Sequence, residues 1–179
     1  MNENQALLVI DAQIDMFSED FSVYHAKQLI KILQQLVKKA RLNGVPVIWV
    51  RNNGEKGDPD EPGTPGWKIH PSLKPKESEI IIDKHKSSAF KDTNLLLILK
   101  QMKISRLIIA GMQTEFCINS TVRNAIELGF NVTLIKNGHS TFDSEEMKAS
   151  EIIEKYNEEL NDIVKIEKAE NINFQKNIL

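Results

Sequence analysis

The chain predicts an α/β fold in which helices cover both faces of a parallel sheet. Three observations lead there. Short β-rich apolar runs alternate with longer stretches of helical periodicity, so successive strands are joined by helical crossovers. The length of 179 residues suits one domain and can bury about 70% of the unfolded surface without a metal or disulfide staple. The composition, 41% hydrophobic and 27% charged, is that of an ordinary globular chain.

In chain order, Leu7-Leu8-Val9-Ile10 reads as a buried strand ending at Asp11. Leu29, Ile32, Leu33, Leu36, Val37 and Ala40 then fall at helical spacing between His25 and Arg41, and Asn43-Gly44 stops that helix. Val45 to Val50 is the second strand, with Pro46 tolerable near its start. Residues 52–78 break the rhythm with five of the six prolines and four of the eight glycines, and such a loop reads as a functional lid or a disordered insert. The large aromatic Trp67 within it favours the ordered lid.

Ile80 to Ile82 is the third strand, and a helix from Thr93 to Met102 leads to the fourth, Arg106 to Gly111. A helix from Glu115 to Leu128, capped by Gly129, precedes a fifth strand at Asn131 to Ile135. A charged amphipathic helix, Ser144 to Leu160, and a weak sixth strand, Asp162 to Ile166, complete the pattern and leave residues 167–179 as a polar C-terminal tail. The whole of 1–179 is thus read as a single domain.

Composition removes several function classes. With 23 basic against 25 acidic residues the net charge is −2, which lacks the electrostatic footprint of a nucleic-acid binder. No apolar run approaches the roughly 20 residues that span a bilayer, and the apolar run after Met1–Gln5 is too short for a signal-peptide core. A single cysteine excludes an intrachain disulfide and any multi-cysteine metal centre. The expectation is a cytoplasmic protein without a membrane or nucleic-acid partner.

In doubly wound folds ligands bind beyond the carboxyl ends of the strands, where strand order reverses. Asp11 ends the first strand, Lys84 follows the third, and Cys117 lies in the first helical turn after the fourth. A carboxylate, an ammonium and a thiol in one cleft make a nucleophilic centre. A neighbouring cation and a helix N-terminus would lower the thiol pKa. Asp11 would take its proton, and free N–H groups at the turn would hold an oxyanion. Taken singly, each residue has a plainer reading. The cysteine is then a packed small hydrophobe beside Phe116, Ile118 and Val122. The aspartate becomes a cap or turn residue, and the lysine joins a solvated run, Asp83 to Lys86.

Three motifs in order decide between these readings. Leu8-Val9-Ile10-Asp11-Ala12-Gln13, Lys84-His85-Lys86-Ser87-Ser88-Ala89-Phe90, and Gly111-Met112-Gln113-Thr114-Glu115-Phe116-Cys117 resemble the signatures of the isochorismatase-like cysteine hydrolases, over about residues 5 to 143. The resemblance implies a three-layer α-β-α fold with a six-stranded parallel sheet in order 3-2-1-4-5-6, and an Asp11–Lys84–Cys117 catalytic triad. It also implies a non-proline cis peptide at Met112–Gln113 and an oxyanion hole formed by the Gln113 and Cys117 N–H groups. Gln13 would brace Asp11, while Trp67, Met112 and Phe116 are further candidates for substrate contact.

Nicotinamidases of this family carry an Asp-x-His-x-x-His metal site after the second strand, whereas Arg51 to Asp58 holds no histidine here. His25, His70, His85 and His139 show no two-histidine ligand spacing, so no metal and no cofactor are expected. Ser87 and Asn137 also depart from common family residues. His139 reads as a lid-orienting group or a structural hydrogen-bonder. Phosphate-loop, dinucleotide and serine-hydrolase motifs are absent.

The function expected is cleavage of a small-molecule amide C–N bond through a Cys117 thioester. The alternatives are a vinyl-ether hydrolase using Asp11 and Lys84, and a silent ligand-binding or scaffolding homologue. By resemblance, the chain is expected to form a homodimer or homotetramer.

Overall fold

The computed structural model describes residues 3–18 and 21–177. Six parallel strands form one sheet: β1 Gln5–Ile10, β2 Val47–Asn52, β3 Ile80–Lys84, β4 Arg106–Met112, β5 Asn131–Ser140 and β6 Lys165–Glu167. Their spatial order is β3-β2-β1-β4-β5-β6. The chain winds outward from β1 to β3, then returns to lay β4 against the free side of β1, and this reversal opens a crevice at the strands' carboxyl ends.

β1 is central and every one of its six residues is buried. A strand covered on both faces reads as an unbroken apolar run rather than an alternation, which is the Leu7-to-Ile10 signal. Leu7 and Val9 pack with Trp49, Ile108 and Ala110 against helix α1, Ala26–Leu42, whose buried stripe is Leu29, Leu33, Leu36, Val37 and Ala40. Leu8 and Ile10 face the opposite layer. There they meet Leu95 and Leu99 of α2 (Leu95–Gln101), Val122 and Ala125 of α3 (Asn119–Glu127), and Leu160 of α4 (Ala149–Asn161).

Besides shifts at element ends, such as a fourth helix that begins at Ala149 rather than Ser144, three larger differences from expectation appear. The helix expected over Glu115–Leu128 is two pieces, a π-helical turn Thr114–Ile118 followed by α3, with the Ile118 N–H donating five residues back to the Gln113 carbonyl. The fifth strand is ten residues long and reaches Ser140, because β5 shifts register against β4 between Ile109 and Gly111 and resumes pairing at His139 and Ser140. The polar tail is not a free tail. Ala169, Ile172 and Phe174 are buried with the α1 layer, and Gln5 on β1 bonds to Gln175 and Asn177. Burying the two larger side chains contributes about 1.5–3 kcal/mol each. Residues 178 and 179 lie outside the described residues.

The segment after β2 is tied by backbone hydrogen bonds to the loop after β1. Ile14 and Asp15 donate their N–H groups to Lys68 and Gly66, His70 donates to Ala12, and Ile69 and Leu73 are buried against the α1 layer.

Gly111 permits the β1–β4 contact on which the crevice depends. It pairs with Ile10, has φ +131°, and a Cβ there would lie 2.0 Å from the Ile10 carbonyl oxygen. Both backbone and space exclude any other residue. Gly111→Ala is expected to cost about 3 kcal/mol or more, or to abolish soluble folding. Gly44→Ala, at φ +66° with open space around it, should cost about 1 kcal/mol. Urea denaturation of the two variants compares them directly.

Candidate active site

Four strand ends deliver the site. Asp11 follows β1 directly, anchored by its N–H to the Val50 carbonyl (2.8 Å) in a left-handed conformation of φ 49°. Lys84 is the last residue of β3, where strand alternation turns it to the same side as Ile82 and buries it completely. Asn52, its register partner, ends β2. Cys117 sits in the π-helical turn after β4, beyond a Met112–Gln113 peptide bond that is cis.

The Lys84 ammonium is the hub. Nζ lies 2.9 Å from Asp11 Oδ2, 3.2 Å from Cys117 Sγ and 3.1 Å from Asn52 Oδ1. Three donors meet three acceptors, so a charge with no access to water is fully satisfied. The sequence expectation of Asp11, Lys84 and Cys117 in one place therefore corresponds to contact. Burial opposes the lysine's charge, but Asp11 and Cys117 overcome it and hold Lys84 above its ordinary range. Asp11 is itself raised, chiefly by burial and only partly countered by Lys84.

The thiol departs from expectation. Burial first, and the adjoining Asp11 carboxylate second, push Cys117 up to about 12, with Lys84 only partly opposing them. A nearby cation and a helical turn do not lower a thiol pKa when the same cation is already neutralised by a closer carboxylate. The resting site thus carries one ammonium, one carboxylate and a neutral thiol.

A cavity of about 250 Å³ opens onto these groups, with Asp11, Asn52 and Cys117 among its lining residues and Met16 and the half-exposed Phe116 supplying apolar wall. Gln113 also lines it, as do His85, Lys86 and Ser87. Of the residues expected at the substrate, Phe116 lines the cavity, while Gln13, Trp67 and Met112 have partners elsewhere. Gln13 does not brace Asp11; its amide grips both backbone groups of Asn52 and the Trp67 carbonyl. Met112 is fully buried in the α1-side core. Trp67 anchors the loop, donating to Asn53 Oδ1 (2.7 Å) beneath the Arg51 guanidinium, which stacks 3.5 Å from its ring centre.

Other groups support the turn that carries the thiol. His139 is buried between Thr114 Oγ1 (2.9 Å, at Nδ1) and Asn157 Oδ1 (3.1 Å, at Nε2). The Asn157 amide nitrogen donates to the Lys136 carbonyl, so its oxygen faces the ring and His139 carries its proton on Nε2. Burial lowers this histidine to about 4, and both ring nitrogens are taken up by hydrogen bonds within the fold.

Asn52, Asp60 and Asp15 escaped sequence reasoning. Asp60 Oδ2 accepts from Asn52 Nδ2 at 2.7 Å, and Asp15 is raised to about 7 by burial and by the nearby Asp60 carboxylate. Loop acids separated by 45 residues carry no spacing signal; only the fold brings them together. Among the described residues no group of three His, Cys, Asp or Glu side chains is arranged to hold a metal ion. The segment after β2 presents asparagines where a histidine-bearing metal site would need imidazoles, so the residues do not fit one.

Residues 5–164 match the isochorismatase domain family. The chain is 34% identical over 139 residues to a streptothricin hydrolase of Streptomyces noursei, a match covering 78% of this chain and 50% of that protein. It is 31% identical over 128 residues to an N-carbamoylsarcosine amidase of an Arthrobacter species, covering 62% and 48%. The chain thus spans about half the length of these relatives. A crystal structure of an isochorismatase from Pseudomonas putida superposes with a TM-score of 0.89 at 26% identity, covering 95% of this chain and 90% of that one.

Two predictions follow from the electrostatics. Iodoacetamide should alkylate Cys117 at pH 8 about a hundredfold or more slower than a free cysteine, the rate rising about tenfold per pH unit with no plateau below pH 9. A plateau below pH 8 would contradict a neutral resting thiol. For Asp15, the folded state holds a proton that the unfolded chain releases near 4, so its destabilising effect grows as pH rises and is complete above about 7. Asp15→Asn should therefore raise the melting temperature at pH 8 clearly more than at pH 5, and not at all near pH 4.

Proposed function

The chain belongs to the isochorismatase family, and within it we propose that this protein is a metal-independent hydrolase cleaving an amide C–N bond of a small molecule through a cysteine thioester. The observation that carries this reading is the Lys84 ammonium placed 2.9 Å from the Asp11 carboxylate and 3.2 Å from the Cys117 sulfur at one small cavity. The relative named as an amidase supports the bond type.

The neutral thiol defines how the steps run. As sulfur attacks the substrate carbonyl carbon, its proton passes to Asp11, whose carboxyl is held above its ordinary range by burial. Lys84 stays cationic throughout and stabilises whichever of the two groups is anionic. The carbonyl oxygen becomes an oxyanion held by the Gln113 and Cys117 N–H groups. Collapse breaks the C–N bond, Asp11 returns the proton to the leaving nitrogen, and an amine or ammonia departs. Water then attacks the thioester, giving its proton to Asp11. A carboxylic acid leaves, and the thiol regains its proton.

The thiol at about 12 also favours a second reading, a vinyl-ether hydrolase in which the Asp11–Lys84 pair protonates substrate and the sulfur is a bystander. Cys117→Ala separates the two. On a panel of small primary amides, lactams and N-carbamoyl amines, the variant should lose at least about 10³-fold in kcat/KM. Turnover of a vinyl ether by wild type, retained in Cys117→Ala, would replace the amidase reading.

A further inference from the structure

Asp60 is a carboxylate in an expensive place. It is 8% exposed, on the loop that follows β2, and its charge is felt by two other buried or half-buried carboxyls, Asp15 and Asp11. A loop selected for stability alone would not set a third acid against two others. The bond it makes there is to the Asn52 amide, Nδ2 to Oδ2 at 2.7 Å.

Nor is that bond needed to hold the Asn52 backbone. Gln13 already grips it from both sides, Oε1 accepting from the Asn52 N–H (2.7 Å) and Nε2 donating to its carbonyl (3.0 Å). What remains undetermined by Gln13 is which way the side-chain amide faces. A carboxylate can only accept, so it claims the NH2 end; an ammonium can only donate, so it needs the oxygen end. Asp60 on one side and Lys84 on the other, 3.1 Å from Asn52 Oδ1, admit a single orientation.

We infer that Asp60 is a positioning residue for the reaction, acting through Asn52: it orients the Asn52 amide so that its oxygen takes the third N–H of Lys84 and holds the ammonium against the Cys117 sulfur. Without Asp60 only the Lys84 contact holds the amide, and its NH2 end loses the acceptor that keeps it turned away. Whenever the NH2 end swings toward the ammonium it repels it, Lys84 draws back toward Asp11, and the thiol loses part of the cation contact that favours its ionised form. The loop is thereby coupled to the chemistry. Residues 53–61 fold back so tightly that a Cβ on Gly54 would lie 2.0 Å from Asp60 Oδ1, and the seated loop presents the carboxylate to Asn52. The inference rests on the triad assigned above, but its first test needs no substrate.

The test is the rate of Cys117 alkylation by iodoacetamide at pH 8 in Asp60→Ala and Asp60→Asn. If Asp60 orients Asn52, Asp60→Ala lowers the rate at least threefold, while Asp60→Asn, whose amide oxygen still accepts, stays within twofold of wild type. If Asp60 only tethers the loop or only adds charge, Asp60→Ala admits water or removes an anion, and the rate rises. A rise or no change overturns the inference. Should the alanine variant not fold, Asp60→Leu fills the same space without an acceptor and carries the same expectation. Once an amide substrate is in hand, kcat should fall with KM within twofold in Asp60→Ala and recover in Asp60→Asn. Loss of the hydrolase reading would leave the alkylation result standing, so the two failures are distinguishable.

Discussion

A lysine with no exposed side-chain surface must be paired, because an isolated buried ammonium costs many kcal/mol. The molecule meets that demand by bringing the ends of β1, β2 and β3 and the turn after β4 within about 3 Å of one nitrogen. Removing one partner of such a pair costs about 3–5 kcal/mol, since the other is left buried and uncompensated. The same pairing sets the electrostatics: one cation lies beside two acidic groups, Asp11 and Cys117.

That hub forces departures from regular backbone around it. Asp11 takes a left-handed conformation that an L-residue adopts at a cost of about 1–2 kcal/mol. Gly111 lets β4 approach Ile10 so closely that no Cβ fits between them. Beyond the cysteine turn, the Thr114–His139–Asn157 chain ties the turn to β5 and α4 with every ring nitrogen satisfied. Strain at the centre is thus held by well-packed, fully bonded surroundings, the usual arrangement where geometry serves function.

Much of the sheet was legible in the chain because β1, β2 and β4 are buried on both faces and so read as apolar runs. The α1 stripe was legible because its buried residues keep helical spacing. Other features left weaker traces. The extension of β5 to Ser140 passes through Lys136-Asn137-Gly138, which looks like a turn, and depends on a register shift against β4. The final segment is polar on average, yet Ile172 and Phe174 dock in the α1 layer; two apolar residues in a short stretch have no detectable period. The partners of Trp67 and Gln13 lie on the loop and on β2, which linear reading does not connect to them.

The sequence by itself determined which reactive groups stand at the strand ends: a carboxylate, an ammonium and a thiol, in motifs whose order implied the isochorismatase-like sheet. It did so because strand ends in a doubly wound fold converge by topology, whatever fills the loops. Only the tertiary structure decided the state of those groups. The thiol is neutral rather than activated, because its pKa answers to burial and to the Asp11 carboxylate. The third partner of Lys84 is Asn52, oriented by an aspartate eight residues away across a folded-back loop. Burial, distance and hydrogen-bond direction are properties of space rather than of sequence spacing, and they govern pKa and reactivity.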